Sequence, residues 1–274
     1  RGDEIMADIY KVNSKNFVGG PGRLVVADMS VAAPTKISDV MDLTDPYALK
    51  DGWKDLGATS DGISITRGWD TEDFEVDQVM GAADTDVSSF EHGLETQLAE
   101  NTIENRQLAL AGGSIIETPA TVGTGQVLGG ALAAGARIVT LSTANPAFKA
   151  GGWLRLGTSE LIKISSVNGT TVNLETAVSK AYTTSDQVYP VTELPSKRIG
   201  YGTVTDIPFK RYVLISQKKD GSLYMAVIRK AKVSGDSKEQ AFNKGKRVLP
   251  FQLQAFPEDG VAKEENVYYE IEQA

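Results

Sequence analysis

The side chains with catalytic potential centre on a single histidine. His92 is the only histidine among the 274 residues, and Asp86, Ser88 and Ser89 closely precede it. Serine, histidine and aspartate can form a nucleophilic triad, but a triad also needs its serine on a strained turn and donors for the oxyanion. The sequence contains no G-x-S-x-G stretch, the usual signature of such a turn. We therefore interpret His92 as a half-exposed strand residue and predict that the protein is not an enzyme.

Glycine-rich stretches and cysteine content do not indicate a cofactor. In the stretch from Gly123 to Gly129, Leu128 stands where a dinucleotide-binding loop needs its third glycine, and no strand–turn–helix pattern surrounds it. The stretch around Gly245 lacks the glycine spacing and the hydroxyl residue of a phosphate-binding loop. Because the chain has no cysteine, disulfides and thiolate metal sites are excluded. We predict no cofactor and interpret the first stretch as an interdomain connector.

Acidic residues are densest in one predicted strand and its surroundings, at Glu72, Asp73, Glu75 and Asp77. A calcium loop needs its oxygen ligands at regular alternate positions with a turn glycine and a final glutamate, and this order is missing. No pair of carboxylates is set apart as glycoside hydrolysis would require. The stretch is therefore interpreted as a solvated acidic face or as a surface that repels a polyanion. Metal binding is a third alternative.

Basic residues collect towards the C-terminus, at Arg229, Lys230, Lys232, Lys246 and Arg247. Two interpretations remain open: these residues protect an edge strand from unwanted pairing, or they pair with the acidic strands of a neighbouring copy. The whole chain has 28 Lys and Arg against 36 Asp and Glu, a net charge of −8. That balance argues against broad binding of phosphate backbones, which requires an excess of positive charge.

Short strands with tight turns must position these residues. Apolar runs over residues 24–27, 211–216 and 223–228 predict strands, and the last two form a hairpin. Residues 72–79 and 87–98 alternate in polarity, which predicts half-buried strands with a loop at 81–85 between them. A short helix is predicted from an N-cap at Thr102 to Leu110. Residues 32–52 have little periodicity and predict a long loop.

The chain has no apolar run near the roughly 20 residues that a membrane helix needs, and its first residues do not resemble a signal peptide. We expect a soluble protein of a reducing compartment, with Met6 as a possible natural start.

Residues 119–194 differ in texture from the rest, with a Gly- and Ala-rich opening and five or six short apolar strands. We interpret them as a small all-β domain inserted into a loop of a discontinuous domain formed by residues 1–118 and 195–274. The predicted fold class is mainly β: a β-sandwich or barrel with one short flanking α-helix, plus the inserted domain.

Four stretches together carry a resemblance to a known family. They are residues 53–63 (WKDLGATSDGI) with the acidic strand that follows, 95–105 (ETQLAENTIEN), 229–233 (RKAKV) and 249–257 (LPFQLQAFP). In this order they resemble the major tail tube protein of long-tailed bacteriophages. The resemblance covers roughly residues 8–118 and 195–274, and it consists of several small signatures.

The resemblance implies a fold, an assembly and a set of partners. Proteins of this family have a β-sandwich flanked by a helix. Six copies form a ring whose inner strands close into one β-barrel, and rings stack into a hollow tube through which DNA leaves the capsid. The implied partners are further copies of the chain, the tape measure, tail terminator and distal tail proteins, and passing double-stranded DNA. The implied location is the virion tail, assembled in the cytoplasm of the bacterial host. Residues 119–194 correspond to an extra outer domain.

Three groups of residues acquire roles under this resemblance. Glu72, Asp73, Glu75 and Asp77 are candidates for an acidic lumen or ring face, since carboxylates repel DNA phosphates. The five basic residues named above are candidates for contacts within a ring. The third group is a candidate stacking contact between rings and comprises Asp39, Met41, Leu43, Tyr47 and Trp53.

An alternative from another class is a carbohydrate- or receptor-binding β module. In that case residues 119–194 are the binding part, and Trp153 and Tyr182 are expected to be exposed aromatic residues that contact the ligand.

Overall fold

The computed structural model describes residues 22–45, 48–78, 80–235, 245 and 247–273. The chain divides into two compact units, unit 1 (Arg1–Ser114 and Ile199–Ala274) and unit 2 (Ile115–Arg198). Unit 2 begins and ends a few residues outside the predicted insert, because two short strands at its ends pair with each other: Ile116–Thr118 with Ser196–Arg198.

The strands and the helix are numbered along the chain. Unit 1 begins with β1 (Arg23–Asp28), β2 (Trp53–Asp55), β3 (Thr59–Glu75), β4 (Ala82–Leu98) and α1 (Ile103–Ala109). Unit 2 contains β5 (Ile116–Thr118), β6 (Thr121–Val122), β7 (Gln126–Val127), β8 (Ile138–Thr140), β9 (Trp153–Leu156), β10 (Glu160–Asn168), β11 (Thr171–Leu174), β12 (Gln187–Glu193) and β13 (Ser196–Arg198). Unit 1 resumes with β14 (Lys210–Gln217), β15 (Leu223–Val233), β16 (Leu249–Ala255) and β17 (Tyr268–Glu272).

Unit 1 is built on an eight-stranded sheet with the order β2-β1-β14-β15-β16-β4-β3, in which β17 also pairs with β15. The central strands are buried on both faces, which explains why their sequences are continuous apolar runs. Leu24 and Val26 of β1 point into one core, and Val25 and Ala27 point into another. Between the residues that pair with Lys210 and Tyr212, β15 contains one residue more than β14. This β-bulge changes which face of the sheet the side chains of β15 point to.

The first core lies between the sheet and α1. The hydroxyl of Thr102 accepts a hydrogen bond from the backbone N–H of Asn105 at 3.1 Å, as predicted for the N-cap. The buried side-chain amide of Asn105 donates to the backbone carbonyls of Leu56 and Glu100 at 2.8 and 2.7 Å. These bonds anchor the helix to the strand that precedes β3 and to the end of β4.

The second core lies on the opposite face of the sheet, under the covering segment (residues 31–53). This segment contains a short 3-10 turn (Ile37–Asp39) and a bridge between Met41 and Leu49. Ile37, Val40 and Met41 pack on the sheet with Trp53. The predicted long loop is present, with the 3-10 turn as its only helical or strand element among the described residues, and its apolar side chains pack on the sheet.

Unit 2 is a small all-β structure. Its strands have the order β6-β12-β9-β10-β11-β8, with β7 paired to β12. A bridge between Leu128 and Leu141 joins the β7 end to the β8 end, with the N–H of Gly129 donating to the carbonyl of Thr140 at 2.7 Å. The sheet therefore closes into a barrel around a core that includes Leu154 and Val172.

The predicted fold class, mainly β with one short helix, is confirmed. The main local difference concerns residues 81–85, because β4 begins at Ala82 where a loop was predicted. The strand over residues 87–98 is half-buried only from His92 onwards, since the preceding part is exposed on both faces. Within the described ranges, no helix combines the length and the apolar character needed to cross a membrane.

Candidate assembly surfaces

The most exposed secondary structure of unit 1 is the hairpin of β3 and β4. Each strand has 17 residues, but β16 pairs with β4 only between Gly93 and Leu98. Beyond that point the hairpin continues as a two-stranded ribbon (residues 68–91) in which, within the described part of the chain, β4 pairs only with β3. At the rise of an extended strand, its eight-residue β3 side extends about 25 Å from the sheet.

Among the residues that the structure describes, none packs over either face of the ribbon. All described residues of β4 from Ala82 to Glu91 are exposed. Four large apolar side chains of the ribbon strands are more than half exposed: Trp69, Phe74, Val87 and Phe90. A two-stranded hairpin is marginally stable alone in water, and strands gain stability by burying a face. Exposed apolar surface of this kind marks a contact site.

The ribbon has one face that continues from the first core. Cross-strand pairs place Ile65 opposite Leu94 and Trp69 opposite Phe90 on this same face, which we call the near face. Ile65 and Leu94 belong to the first core of unit 1, whereas Trp69 and Phe90 are 61% and 51% exposed. The apolar stripe of the near face thus extends from the core into solvent.

The opposite, far face of the ribbon is acidic. Glu72 lies opposite Asp86, and Asp70 lies opposite Ser89, whose hydroxyl donates to it at 2.9 Å. Residues 68–91 contain eight carboxylates and no Lys or Arg, while the remaining residues contain 28 of each sign, since 36 − 8 = 28. The ribbon therefore carries the entire excess negative charge of the chain.

The predicted acidic residues are all exposed in this ribbon, but they do not share one face. Glu72 lies on the far face, Asp73 and Glu75 alternate with it on the near face, and Asp77 lies in the connecting turn. Asp73 accepts a hydrogen bond from the hydroxyl of Thr85 at 2.9 Å. Their assignment to a lumen or ring face stays a prediction.

An aromatic cleft of about 440 Å³ opens at the base of the ribbon on its near face. It lies between the ribbon and residues 263–268, and Trp69, Phe90, His92 and Tyr268 line it. The His92 ring lies 5.9 Å from the Phe90 ring and 6.1 Å from the Tyr268 ring, measured between centroids. Burial, with the nearby positive charge of Arg67, lowers the pKa of His92, so the cleft favours the neutral imidazole.

Two cations border the aromatic cleft. Arg67 and Lys263 are both exposed, and neither forms an ion pair within 4.0 Å with any residue that the structure describes. Glu264 borders the cleft as well and offsets part of their charge. The cleft thus combines an aromatic wall with a basic rim.

Three of the five residues in the predicted basic group are neutralised within unit 1. Arg229 contacts Glu258 at 3.3 Å, Lys230 contacts Asp259 at 3.7 Å, and Lys232 contacts Asp206 at 3.1 Å. The contact of these residues with a neighbouring copy stays a prediction. Arg247 is exposed, and Lys246 lies outside the described residues.

One buried arginine, Arg211, links Arg229 and Glu258 to the covering segment. Arg211 is only 2% exposed and donates to Glu258 at 2.6 Å, to the backbone carbonyl of Arg229 at 3.1 Å, and to the carbonyl of Val31. Glu258 therefore pairs with two arginines at once. This buried network has a structural role, since each of its charges has a partner.

The predicted stacking group divides between core and surface. Met41 and Trp53 are buried in the second core, and Asp39 caps the 3-10 turn by accepting from the backbone N–H groups of Thr35 and Lys36 at 3.0 and 3.2 Å. Leu43 is 48% exposed, and Tyr47 lies outside the described residues. The stacking role of this segment stays a prediction, and Leu43 is its exposed apolar side chain.

In unit 2 the two aromatic residues of the alternative function are not exposed as expected. Tyr182 is buried in the barrel core, and its hydroxyl donates to Glu160 at 2.5 Å. Burial and this hydrogen bond raise the pKa of Tyr182. Trp153 is half-buried on β9. The expectation of an exposed Tyr182 is therefore wrong, because β-bridge pairing with Leu132 draws it inside.

A second groove of about 480 Å³ lies in unit 1 beside α1, β1 and β2. Acidic and basic side chains alternate around it, including Glu100, Asp206, Lys54 and Lys210. Lys210 is engaged by Asp28 at 2.5 Å, and Asp206 is engaged by Lys232. Among the described residues, no group of three or more His, Asp or Glu side chains is arranged to hold a metal ion.

Comparison of the sequence with protein-family models and with curated proteins found no match. Sequence reasoning missed the ribbon as a surface, although the joint placement of Trp69 and Phe90 among eight carboxylates was a usable signal.

Proposed function

We propose that this chain is a structural subunit of a phage tail tube, which assembles as hexameric rings that stack into a hollow conduit for DNA ejection. In this proposal the chain has no catalytic role and no cofactor. Its partners are other copies of itself and the tape measure, tail terminator and distal tail proteins, and its place is the virion tail.

The observation that carries the proposal is the ribbon. A protein that acts alone gains nothing from a hairpin with more than half of each of four large apolar side chains in solvent. Among the described strands, the outer side of β3 is also an unpaired edge of the sheet, and long exposed edges favour pairing with another chain. Closing such edges around a ring removes this liability.

The charge of the ribbon supports a conduit for a polyanion. Far-face carboxylates such as Glu72 and Asp86 have no basic residue within the ribbon to neutralise them. A passage lined by such groups repels phosphates and so lets DNA slide without binding. The described basic residues Arg229, Lys230 and Lys232 are held by carboxylates of unit 1, which keeps their charge from attracting DNA.

The alternative, a carbohydrate- or receptor-binding module, has less support. Its two candidate ligand contacts in unit 2 are a buried tyrosine and a half-buried tryptophan. Tyr182 in particular uses its hydroxyl inside the unit, on Glu160. Lectin-type binding needs aromatic faces that a sugar can reach.

Negative-stain electron microscopy of the purified protein tests the proposal directly. Rings or hollow tubes about 100 Å wide are expected, the scale of six units of this size around a channel. A concentration series at moderate salt, with sedimentation velocity in parallel, follows the transition from monomer to assembly. Uniform monomers up to the solubility limit would contradict the proposal.

A further inference from the structure

We propose that the ribbon tip of one copy docks into the aromatic cleft of the next copy, with Phe74 as the apolar anchor. This inference rests on the proposed self-assembly and names the surfaces that carry it. The tip is defined by Phe74 and by the carboxylates of Asp73, Glu75 and Asp77. The contact is head-to-tail, because each copy offers a tip at one place and a cleft at another.

The cleft and the tip match in shape and in polarity. The cleft, at about 440 Å³, falls within the range of about 300–1,000 Å³ of pockets that accept drug-sized ligands, so it can receive one aromatic side chain. Phe74 is 61% exposed near the end of β3 and has no partner ring among the described residues. Aromatic side chains prefer edge-to-face contacts with other rings, and the cleft offers those of Trp69, Phe90 and Tyr268.

The charges match as well. Exposed carboxylates flank Phe74 at the tip: Asp73 and Glu75 precede and follow it on the other face of the ribbon, and Asp84 lies opposite it on the neighbouring strand. The ribbon contains no cation that could pair with them. Arg67 and Lys263 stand at the rim of the cleft without an ion pair to any described residue. Docking places the acidic tip against this rim, and complementary charges set the register of such a contact. Glu264 weakens the attraction but leaves the rim positive.

The tip cannot reach the cleft of its own copy. Phe74 and Trp69 lie five positions apart on one strand, about 17 Å at the rise of an extended chain. They also point to opposite faces of the ribbon. The proposed docking is therefore between two copies, and a head-to-tail contact of this kind closes into a ring or propagates as a filament.

Two charge-reversal variants test the contact. One variant reverses the tip (Asp73→Lys with Glu75→Lys), and the other reverses the rim (Arg67→Glu with Lys263→Glu). Each alone is expected to assemble at least about tenfold more weakly than the parent chain, since like charges then meet. An equal mixture of the two regains assembly, because each tip again meets a rim of opposite sign. One chain that carries all four substitutions also assembles.

Matched controls separate this contact from general charge effects. Asp61→Lys with Glu193→Lys changes the net charge as much as the tip variant does, at exposed positions outside the ribbon and the covering segment. This control is expected to assemble like the parent chain. Phe74→Ser tests the anchor without a charge change and is expected to weaken assembly about tenfold or more. Circular dichroism of each variant verifies the fold.

The outcomes distinguish the contact from the proposed function. If the parent chain assembles and the tip and rim variants assemble equally well, the docking contact is wrong while the tail tube proposal stands. Loss in both variants without recovery in the mixture also overturns the contact. If the parent chain does not assemble at all, the proposed function fails and this inference fails with it.

Discussion

The barrel of unit 2 and the ribbon of unit 1 are both β-structure, but they treat their edges in opposite ways. The barrel joins its β7 end to its β8 end through Leu128 and Leu141 and buries an apolar core. The ribbon leaves its backbone edges and both faces exposed, with apolar side chains in solvent. A closed sheet pairs its edge groups within the chain, whereas the edge groups of an open ribbon bond to water and stay available to pair with another chain. The barrel is therefore complete within one chain, whereas the ribbon presents the surfaces on which the proposed assembly depends.

Removing core volume from the barrel should have the largest effect. Leu154 is fully buried in unit 2, so Leu154→Ala leaves a cavity and should cost about 2–5 kcal/mol of unfolding free energy in that unit. Hydrogen exchange of amides in β9–β11 measures this loss. Ile138→Ser is the control, because Ile138 is 54% exposed on the same barrel and should change stability little. Equal effects of both substitutions would contradict the described core.

Polar substitutions in the ribbon should have little effect on stability and a large effect on assembly. Trp69→Ser with Phe90→Ser removes one exposed cross-strand aromatic pair, worth about 1 kcal/mol or less to the monomer. The same variant should assemble at least about tenfold more weakly, as seen by sedimentation velocity. Ile138→Ser on the barrel serves again as the matched control. Normal assembly of the Trp69/Phe90 variant would contradict the proposed role of the ribbon in assembly.

A smaller effect is expected from the hydrogen bond inside the barrel. Tyr182→Phe removes the donor to Glu160 and should cost about 1 kcal/mol. Burial alone would raise the pKa of Glu160, but the hydrogen bonds from Tyr182 and Ser179 lower it below its ordinary value. A lowered pKa means that this contribution is present above the ordinary glutamate range and is lost as the pH falls through the folded value. Urea unfolding of the parent chain and of the Tyr182→Phe variant should therefore show a difference in unfolding free energy that is smaller at acidic pH than at neutral pH.

Neutralising the far face of the ribbon should change the chain itself least of all. Asp70→Asn, Glu72→Gln and Asp86→Asn together should leave folding and tube formation intact, because these side chains are exposed. Under the proposed function, virions with this tube should eject DNA more slowly, since phosphates meet fewer repelling charges. Ejection followed by a DNA-binding dye measures the rate. Normal ejection through intact tubes would contradict the proposal that the far face lines the conduit.

Several features of unit 1 and unit 2 follow from local sequence. Alternation over residues 90–98 predicted the side of β4 that Leu94 and Leu98 share, and Thr102 predicted the start of α1. The mainly β class follows from many short apolar runs separated by turn residues. Such features depend on neighbours within a few positions, where backbone geometry alone decides which side chains share a face.

Other features were decided only by tertiary structure, because they depend on residues far apart in the chain. Arg229 meets Glu258 only because β15 and the segment after β16 lie side by side. The charge of Arg229 is therefore neutralised within unit 1. Met41 is buried because the sheet offers an apolar face for the covering segment, and Tyr182 because the barrel closes around it. Alternation of polarity shows on which face of the strand Trp69 lies, but not whether another element covers that face. Where β16 ends decides that, and it leaves Trp69 in solvent.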